Sequence, residues 1–428
     1  MFSQEPEIKV GILTAPSIRF TLYGDFIDSH TGKSISGRQE IGMKAYSGKR
    51  LFVPAAPESF FELEGVVIGK SFHWERPETQ RFRGTLKIIP EGERLTAVNV
   101  IGIEEYLRSV ISSEMSAGSP AESLKAHAVI SRSWLLSQVL DKENAPVYCG
   151  FTEEDQQYIQ WYDREEHEAY DVCADDHCQR YQGITRISSP EVDAAVRATR
   201  GQVLTYDGEI CDARYSKCCG GMTEVFEKVW EPVSHPYLKP VRDLPVPPVY
   251  ASDLSVEERA RAWIETVPPA FCHTTDRTLL ATVLNQYDQE TPDFYRWQVE
   301  YTQTELSELV EKRLEMGLGR IEALIPVERG VSGRLVKLKI VGSGRTMTIG
   351  KELVIRRALS PSHLYSSAFV VDTAEKNGEK TFILKGAGWG HGVGLCQIGA
   401  AVMGSQGYTH WEILGHYYPG ASLEKIYE

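Results

Sequence analysis

Residues 385–407 read KGAGWGHGVGLCQIGAAVMGSQG, with glycine at every second position from Gly386 to Gly394. Because successive side chains of an extended strand point to opposite sides, this spacing predicts an extended segment with one bare face. Trp389 and His391 then share the other face. A bare face permits close approach by another backbone or by a ligand, and glycine also supplies positive φ in turns. Tight packing without a ligand and a binding surface are both compatible with the pattern.

Short strands and capped helices surround this stretch along the chain. Residues 8–100 hold β-rich runs separated by Gly, Pro and Asp. From residue 102, apolar side chains follow a helical period, first in GIEEYLRSVISSEM and then in SPAESLKAHAVISRSWLLSQVL. The run after Gly394 predicts a short helix, and Thr409 with Glu412 caps another. The sequence therefore predicts an α+β fold with a β-rich core and a few short capped helices.

The composition excludes several classes of protein. The chain has 428 residues, 42% of them hydrophobic, and a net charge of −13. This acidic balance argues against a nucleic-acid partner, which needs clustered positive charge. The apolar runs are shorter than the roughly 20 residues that span a bilayer, and the first residues lack the pattern of an export signal. We therefore expect a soluble globular chain with no transmembrane segment and no nucleic-acid partner.

Pattern and composition divide the chain into four segments. Residues 1–95 form an N-terminal β-rich segment, and residues 96–235 form the first part of a core. Residues 236–300 read as an insertion because they contain the proline-rich run HPYLKPVRDLPVPPVY. Residues 301–428 form the second part of the core. GSGRTMTIGK in this last part departs from a phosphate loop in its glycine spacing and lacks the Ser or Thr after lysine, so we expect no nucleotide or organic cofactor.

Three motifs in order resemble one known family. GWGHGVGLCQIGAAVMGSQGYTHWEILGHYYPGASL is similar to the terminal signature of the SpoIID/LytB family, which comprises sporulation stage II protein D and the amidase-enhancer proteins. EEYLRSVISSEM followed by ESLKAHAVISRSWLL resembles its central signature, and YSKCCGGMT resembles its Ser-x-x-Cys-Gly-Gly-x-Thr turn. The resemblance runs from about residue 100 to the end of the sequence and leaves out the first 90 residues and the insertion.

The resemblance implies a peptidoglycan lytic transglycosylase that acts on glycan strands, preferably strands without peptides. One carboxylic acid donates a proton to the bond between N-acetylmuramic acid and N-acetylglucosamine, and the muramic C6 hydroxyl then closes a 1,6-anhydro ring. Such an acid needs an apolar setting that raises its pKa. Glu114 matches the family's catalytic glutamate and lies at a helix–helix break in the uncharged stretch 109–121. A helix cap is the alternative for Glu114, and Glu104 and Glu105 are weaker candidates that we expect to be solvated.

Further residues are candidates for binding substrate. By resemblance, the glycine turn contributes Ser216, Cys219 and Thr223 to a cleft. For His391 and Gln397 we expect hydrogen bonds to sugar, and Trp389 is either a sugar platform or a core residue. Three alternatives stay open for Lys125 and Arg132 on the second helix: solvation at the surface, pairing with acidic groups, or orientation of the sugar.

The stretch HEAYDVCADDHC suggests a metal site. Two imidazoles and two thiols lie within residues 167–178, on His167, Cys173, His177 and Cys178. This donor set suits one structural tetrahedral Zn²⁺, closed to water. The family resemblance implies a similar zinc cluster. The alternatives are a Cys173–Cys178 disulfide and free thiols.

Two functions from different classes remain after the motifs. The first is the transglycosylase, and the second is a non-catalytic glycan-binding module that enhances a cell-wall amidase or hydrolase. Both predict glycan strands as the partner, and the second adds an amidase. The family resemblance implies a place in the cell envelope or periplasm, although the first residues show no export signal.

Overall fold

The computed structural model describes residues 3–69, 75–116, 118–140, 151–154, 156–160, 167–175, 177–186, 189–245, 253–283 and 293–428. The chain divides into two compact units. The first unit comprises Met1–Glu143, Glu165–Asp212 and Leu423–Glu428, and the second comprises Asn144–Arg164 and Ala213–Ser422. The boundaries predicted at residues 95, 235 and 300 stay predictions.

In the described part of the chain, strands predominate before the first α-helix, and short helices and further strands follow it. This β-rich α+β arrangement confirms the predicted fold class. The helices are α1 (Ile103–Glu114), α2 (Ala121–Leu140), α3 (Pro190–Ala198), α4 (Glu257–Glu265), α5 (Arg277–Val283), α6 (Gln303–Leu314), α7 (Glu352–Ala358), α8 (Gln397–Ser405) and α9 (His410–Tyr417). Within the described ranges, no helix combines the length and apolar content that crossing a membrane requires.

The strands are short and lie mostly in antiparallel pairs. They are β1 (Glu7–Ala15), β2 (Ser17–Tyr23), β3 (Phe26–Asp28), β4 (Lys33–Ile35), β5 (Arg38–Lys44), β6 (Arg50–Pro54), β7 (Phe60–Ile68), β8 (Arg76–Phe82), β9 (Thr85–Glu91), β10 (Arg94–Gly102), β11 (Phe151–Glu154), β12 (Gln157–Gln160), β13 (Val172–Cys173), β14 (Gln202–Tyr206), β15 (Glu209–Ile210), β16 (Tyr215–Ser216), β17 (Arg296–Thr302), β18 (Ile321–Arg329), β19 (Leu335–Gly342), β20 (Thr346–Gly350), β21 (Phe369–Lys376), β22 (Glu379–Ala387), β23 (Leu395–Cys396) and β24 (Ser422–Lys425).

Three sheets and three helices are described in the first unit. The sheets have the orders β13-β1-β10-β9-β6-β3-β4, β5-β2-β7-β8 and β15-β14-β24. Ile18, Phe20 and Leu22 of β2 are buried, and Phe20 contacts Phe52 of β6 at 5.2 Å between ring centroids. Helix α1 follows β10 directly and buries the apolar face that the sequence predicted, including Tyr106 and Val110. This face anchors the helix whose last residue is Glu114.

The second unit has its own hydrophobic core. Its larger sheet has the order β11-β12-β20-β19-β18, and a three-stranded sheet has the order β17-β22-β21. Helices α6 and α7 pack onto these strands through fully buried side chains such as Leu306, Val310 and Ile355. Strand β22 runs out of this core into the glycine-rich stretch. The core therefore fixes where that stretch begins.

Candidate functional site

Glu114 is the last residue of α1, and α2 begins at Ala121, so the predicted break between two helices is confirmed. The side chain is half-buried, and its Oε1 accepts a hydrogen bond from the Arg180 backbone N–H at 3.2 Å. Two residues later, the Gln182 N–H donates to Ser109 Oγ of the same helix at 3.1 Å. Residues 180–182 thus run along the C-terminal half of α1 and orient the Glu114 carboxyl group.

The expected solvation of Glu104 is wrong, and so is the first alternative for Arg132, solvation at the surface. Arg132 is 0% exposed and Glu104 is 5% exposed. The Arg132 guanidinium forms a bidentate pair with Glu104, with nitrogen–oxygen distances of 3.0 and 2.7 Å. Tyr427 Oη and the Gly201 N–H donate to the same carboxylate at 2.5 and 3.3 Å. Pairing with an acidic group, the second alternative for Arg132, is what the structure contains, and we leave Arg132 out of the substrate-contacting residues.

Lys125 has a different environment from Arg132, although both lie on α2. Its Nζ pairs with Glu122 Oε1 at 2.5 Å, and the two side chains are 27% and 28% exposed. Exposed pairs of this kind contribute little to stability. Lys125 is therefore accessible at the surface, and a role in orienting sugar stays a prediction.

Four side chains predicted to bind zinc do come together. The candidate ligand atoms of His167, Cys173, His177 and Cys178, called here the His–Cys cluster, all lie within 4.8 Å of one another. Cys178 Sγ is 3.6 Å from His167 Nε2 and 3.5 Å from His177 Nδ1. Neighbouring sulfur and nitrogen ligands of a tetrahedral zinc ion are separated by about 3.5 Å. The residues therefore fit Zn²⁺.

The chemistry of the His–Cys cluster also suits a metal. Contacts with Cys178, and then with the two imidazoles, lower the pKa of the Cys173 thiol to about 2, against the opposing effect of burial. The thiolate is the form that binds metal. Cys173 and Cys178 are free cysteines, so the structure does not contain the alternative disulfide. The cluster lies in the first unit, and Cys178 is two residues before Arg180.

The glycine-rich stretch is not one continuous extended segment, and that expectation is wrong beyond Ala387, where β22 ends. The φ angles are +76°, +91°, +80° and +71° at Gly388, Gly390, Gly392 and Gly394. Side chains rarely adopt this left-handed region, so the alternating glycines supply positive φ, as the second interpretation proposed. The chain turns repeatedly between Ala387 and β23.

Close approach by other backbone and side-chain groups is the second use of these glycines. A β-carbon at Gly388 would lie 2.7 Å from Cys218 O. A β-carbon at Gly392 would overlap the guanidinium of Arg334, which is 1% exposed and donates to Gly390 O at 3.2 Å. Both positions therefore need glycine for two independent reasons, the backbone angle and the space.

Two of the quoted motifs form one substructure in the second unit. Cys218 and Trp389 exchange backbone hydrogen bonds of 3.0 and 2.8 Å. Strand β16 pairs in parallel with β23, which places Ser216 opposite Cys396. The turn YSKCCGGMT and the glycine-rich stretch are therefore adjacent, although more than 160 residues separate them in the sequence.

Trp389 lies between two aromatic side chains. Its ring stacks on Phe294 with 4.8 Å between centroids and meets the edge of Tyr365 at 5.0 Å. The residue is half-buried. One part of the indole therefore packs in the interior and another part stays accessible, which leaves both alternatives for Trp389, platform and core residue, in place.

The imidazole of His391 is positioned by an aromatic contact and a backbone hydrogen bond. Its ring meets that of Trp230 at 4.6 Å, and its Nδ1 accepts a hydrogen bond from the Val393 N–H at 3.1 Å. Burial, together with the positive charges of Arg214 and Arg334, lowers the pKa of His391 well below its usual range. The imidazole is therefore neutral near pH 7. Its hydrogen bonding to sugar stays a prediction.

The remaining predicted contact residues are almost fully buried. The exposed fractions are 6% for Ser216, 3% for Cys219, 1% for Thr223 and 2% for Gln397. Thr223 Oγ1 accepts from the Val241 N–H at 2.7 Å and donates to Lys239 O at 3.3 Å. These side chains support the turn and the start of α8. Their contact with glycan stays a prediction.

The second unit also holds a group of ligand atoms that sequence reasoning missed. This group, called here the second cluster, comprises Cys219, Asp243, Cys272 and Cys396. The four ligand atoms lie within 4.8 Å of one another, and each residue is at most 3% exposed. Burial, and then the charge of Cys396, raise the pKa of Asp243 to about 7. The residues come from distant parts of the chain, so no local spacing could have indicated the group.

Comparison with known families agrees with the motifs. A family model described as "Stage II sporulation protein" matches residues 91–206, which include Glu114 and the His–Cys cluster. A model described as "Domain of unknown function (DUF8618)" matches residues 224–394. The first match shows that residues 91–206 are similar to the Stage II sporulation protein family, and the second covers the segment predicted to be an insertion.

Individual relatives extend the similarity over most of the chain. Stage II sporulation protein D of Bacillus amyloliquefaciens is 24% identical over 77% of this chain and 76% of its own length. The amidase enhancer of Bacillus subtilis is 25% identical over 74% of this chain and 40% of its own length. An uncharacterized protein of Brachyspira hyodysenteriae is 25% identical over 80% of this chain and 72% of its own length. The predicted resemblance to the SpoIID/LytB family is confirmed.

Proposed function

We propose that this protein is a peptidoglycan lytic transglycosylase that cleaves between N-acetylmuramic acid and N-acetylglucosamine in peptide-free glycan strands. The observation that carries the proposal is the position of Glu114. Its carboxyl group stands at the break between α1 and α2 and is oriented by the Arg180 N–H. It also lies inside the segment that matches the Stage II sporulation protein model.

In this mechanism Glu114 acts first as an acid and then as a base. The protonated carboxyl group donates its proton to the glycosidic oxygen, and the bond between that oxygen and the muramic anomeric carbon breaks. The resulting carboxylate accepts the proton of the muramic C6 hydroxyl as its oxygen bonds to the anomeric carbon. The products are a free glucosamine end and a 1,6-anhydromuramic end. Water is not consumed, so a second carboxylate that activates water is not required.

The chain's own residues position the reacting carboxyl group. The Arg180 N–H donates to Oε1 of Glu114, and the Gln182 N–H ties the same segment to Ser109 of α1. The His–Cys cluster lies directly upstream of this segment. A zinc ion bound there would cross-link the segment and would take no part in proton transfer. We propose one structural Zn²⁺ in this place and no nucleotide or organic cofactor.

We propose that Trp389 and His391 contact sugar. A half-exposed indole can stack on a pyranose ring, and a neutral imidazole can hydrogen-bond a hydroxyl. Ser216, Cys219, Thr223 and Gln397 then support these two side chains from the interior, consistent with their burial. Lys125 is the remaining accessible candidate.

A non-catalytic role is the second candidate function. The relative named amidase enhancer favours it. In that case the chain binds glycan strands and stimulates a cell-wall amidase, which becomes its protein partner. Either function places the protein in the cell envelope, where glycan strands are found.

The test compares two glutamates of the same helix. We predict that Glu114→Gln reduces glycan cleavage at least 1,000-fold, because the amide cannot donate or accept the proton. The matched control is Glu105→Gln, which changes an ion-paired glutamate with a 23% exposed side chain and retains the activity. Release of soluble fragments from peptide-free strands measures cleavage, and thermal melting checks both folds. Equal activity of Glu114→Gln and the unaltered chain would remove Glu114 from the mechanism.

A further inference from the structure

We infer that the second cluster, formed by Cys219, Asp243, Cys272 and Cys396, is a second metal site that binds one Zn²⁺ in a structural role. The inference does not rest on the proposed glycan chemistry, because it concerns how the second unit is held together. The site would take a thiophilic ion with tetrahedral preference, and three sulfur ligands with one oxygen ligand fit zinc best.

The spacing of the ligand atoms supports a metal. Cys219 Sγ and Cys272 Sγ are 3.6 Å apart. Two thiolates on one tetrahedral zinc ion, each at about 2.3 Å from the metal, are separated by about 3.8 Å. A disulfide needs about 2.05 Å, and both residues are free cysteines. The remaining ligand atoms lie within 4.8 Å.

Backbone hydrogen bonds hold the sulfur of Cys396 in place. The Cys219 N–H donates to Cys396 Sγ at 3.2 Å, and the Gly399 N–H donates to it at 3.4 Å. The second bond makes Cys396 the N-cap of α8, a helix of nine residues. Amide donors of this kind orient metal-bound thiolates and stabilise their charge.

The carboxylate of Asp243 is also fixed from outside the cluster. Its Oδ2 accepts from the Cys272 N–H at 2.7 Å, and its Oδ1 accepts from Tyr417 Oη at 2.6 Å. Each carboxylate oxygen has a further lone pair for a metal. A β-carbon at Gly399 would lie 2.7 Å from Asp243 Oδ1, so glycine in α8 makes the room for this arrangement.

The burial of the acidic ligands also supports a bound cation. Asp243 and Cys396 are 0% exposed. Among the described residues, the positive charge of Arg242 interacts with Asp243 and Cys219 but does not form an ion pair with Asp243. An ionised group in such a place is costly unless a cation compensates it. A dication would take the sulfur and oxygen lone pairs while the thiol protons leave to solvent. Four buried ligands leave no open position, which indicates a structural ion and not a catalytic one.

The site would join four segments of the second unit. Cys219 belongs to the glycine turn, Asp243 and Cys272 lie in the chain on either side of α4, and Cys396 ends β23. Local sequence contacts cannot link these segments. A metal there would fix the glycine turn relative to α8.

The test uses the full chain with the His–Cys cluster removed by His167→Ala and Cys173→Ser. This variant is purified without metal under reducing conditions, loaded with Co²⁺, and examined by elemental analysis and absorption. We expect one Co²⁺ per chain, with the sulfur-to-cobalt charge-transfer bands and d–d bands of a tetrahedral thiolate site. Adding Cys219→Ser and Cys272→Ser removes the ion, whereas adding Cys211→Ser, a buried thiol outside both clusters, retains it.

Less than one tenth of a Co²⁺ per chain in the His167→Ala, Cys173→Ser variant, with its circular dichroism unchanged, would overturn the inference. Unchanged metal content after Cys219→Ser and Cys272→Ser would do the same. If the variants with several substitutions do not fold, zinc release from the unaltered chain is measured instead. We then expect a chelator to release two Zn²⁺ per chain. Release of no more than one, with a Cys219–Cys272 disulfide found by mass spectrometry in freshly purified protein, would contradict the second site.

Discussion

Two glutamates of α1 show how surroundings decide the role of one residue type. Glu104, in the first turn, is 5% exposed and receives hydrogen bonds from Arg132, Tyr427 and the Gly201 N–H. Glu114, the last residue of α1, is half-buried at the break between α1 and α2. A carboxylate already surrounded by donors and a cation stabilises the fold, whereas an accessible one at a helix end can meet a substrate.

Arg132 is predicted to matter for stability and not for glycan binding. Arg132→Met leaves the Glu104 carboxylate buried without its cation, so we expect a loss of about 3–5 kcal/mol in the free energy of unfolding. Lys125→Met on the same helix removes only an exposed pair and should cost less than about 1 kcal/mol. Urea unfolding measures the free energy of unfolding of both variants. Similar losses for the two variants would contradict the structural role of Arg132.

Gly392 is predicted to be more sensitive than a glycine with the same backbone angle and open space. Gly392→Ala combines left-handed backbone strain with a clash against buried Arg334, and we expect a loss of about 3 kcal/mol. Gly378→Ala provides the control, because its φ is +76° and nothing lies within 4 Å of an added β-carbon. It should lose only about 1–2 kcal/mol in urea unfolding. Equal losses would show that close approach to Arg334 is unimportant.

Among the secondary-structure elements, local chemistry predicted the start of α9 correctly. Thr302 and Glu305 form a capping box at α6, and the predicted box of Thr409 and Glu412 opens α9. Both are short-range interactions that the sequence contains in full. The glycine-rich stretch was harder to predict, because alternating glycine suits both a bare strand and a series of left-handed turns. Contacts with Cys218 and Arg334, distant in sequence, select the turns.

The segment between the His–Cys cluster and Gln182 is predicted to link metal binding to activity. Cys173→Ser should loosen the segment whose Arg180 N–H orients Glu114, so we expect kcat to fall about 10-fold or more while KM changes little. Cys211→Ser is the control, a buried cysteine outside the cluster. Glycan cleavage at several substrate concentrations separates the two constants. An unchanged kcat in a zinc-free Cys173→Ser protein would contradict the predicted dependence of activity on metal binding.

The junction between β20 and α7 is predicted to give a pH-dependent stability. Burial lowers the pKa of Lys351 to about 7, below the 10.5 of an unfolded lysine. Between these values the unfolded chain binds more protons, so stability rises with pH from about 7 to about 10.5. Lys351→Met should remove up to about 1.4 kcal/mol per pH unit of this slope.

Urea unfolding at pH 7 and pH 9 measures that slope for the unaltered chain and for Lys351→Met. Lys376→Met, which changes a lysine with a 47% exposed side chain, is the control and should keep the slope of the unaltered chain. Identical slopes for the unaltered chain and Lys351→Met would show that Lys351 stays protonated in the folded protein.

At the scale of the whole molecule, the sequence predicted the fold class, the break at Glu114 and the His–Cys cluster. The helix break and the His–Cys cluster each depend on residues within about twenty positions of one another, and the fold class follows from local patterns repeated along the chain. The sequence did not predict the burial of Arg132 with Glu104 and Tyr427, or the second cluster, because both require tertiary contacts over much longer separations. The periodicity of α2 gives no sign of which polar residue faces inward.

The most direct test of the central claim is the chemistry of the product ends. Peptide-free glycan strands are incubated with the purified chain, with Glu114→Gln as control, and the fragments are examined by mass spectrometry. We expect 1,6-anhydromuramic ends with the unaltered chain and intact strands with Glu114→Gln. Ends that have gained water would contradict the transglycosylase mechanism, and intact strands that nevertheless bind the unaltered chain would favour the enhancer function instead.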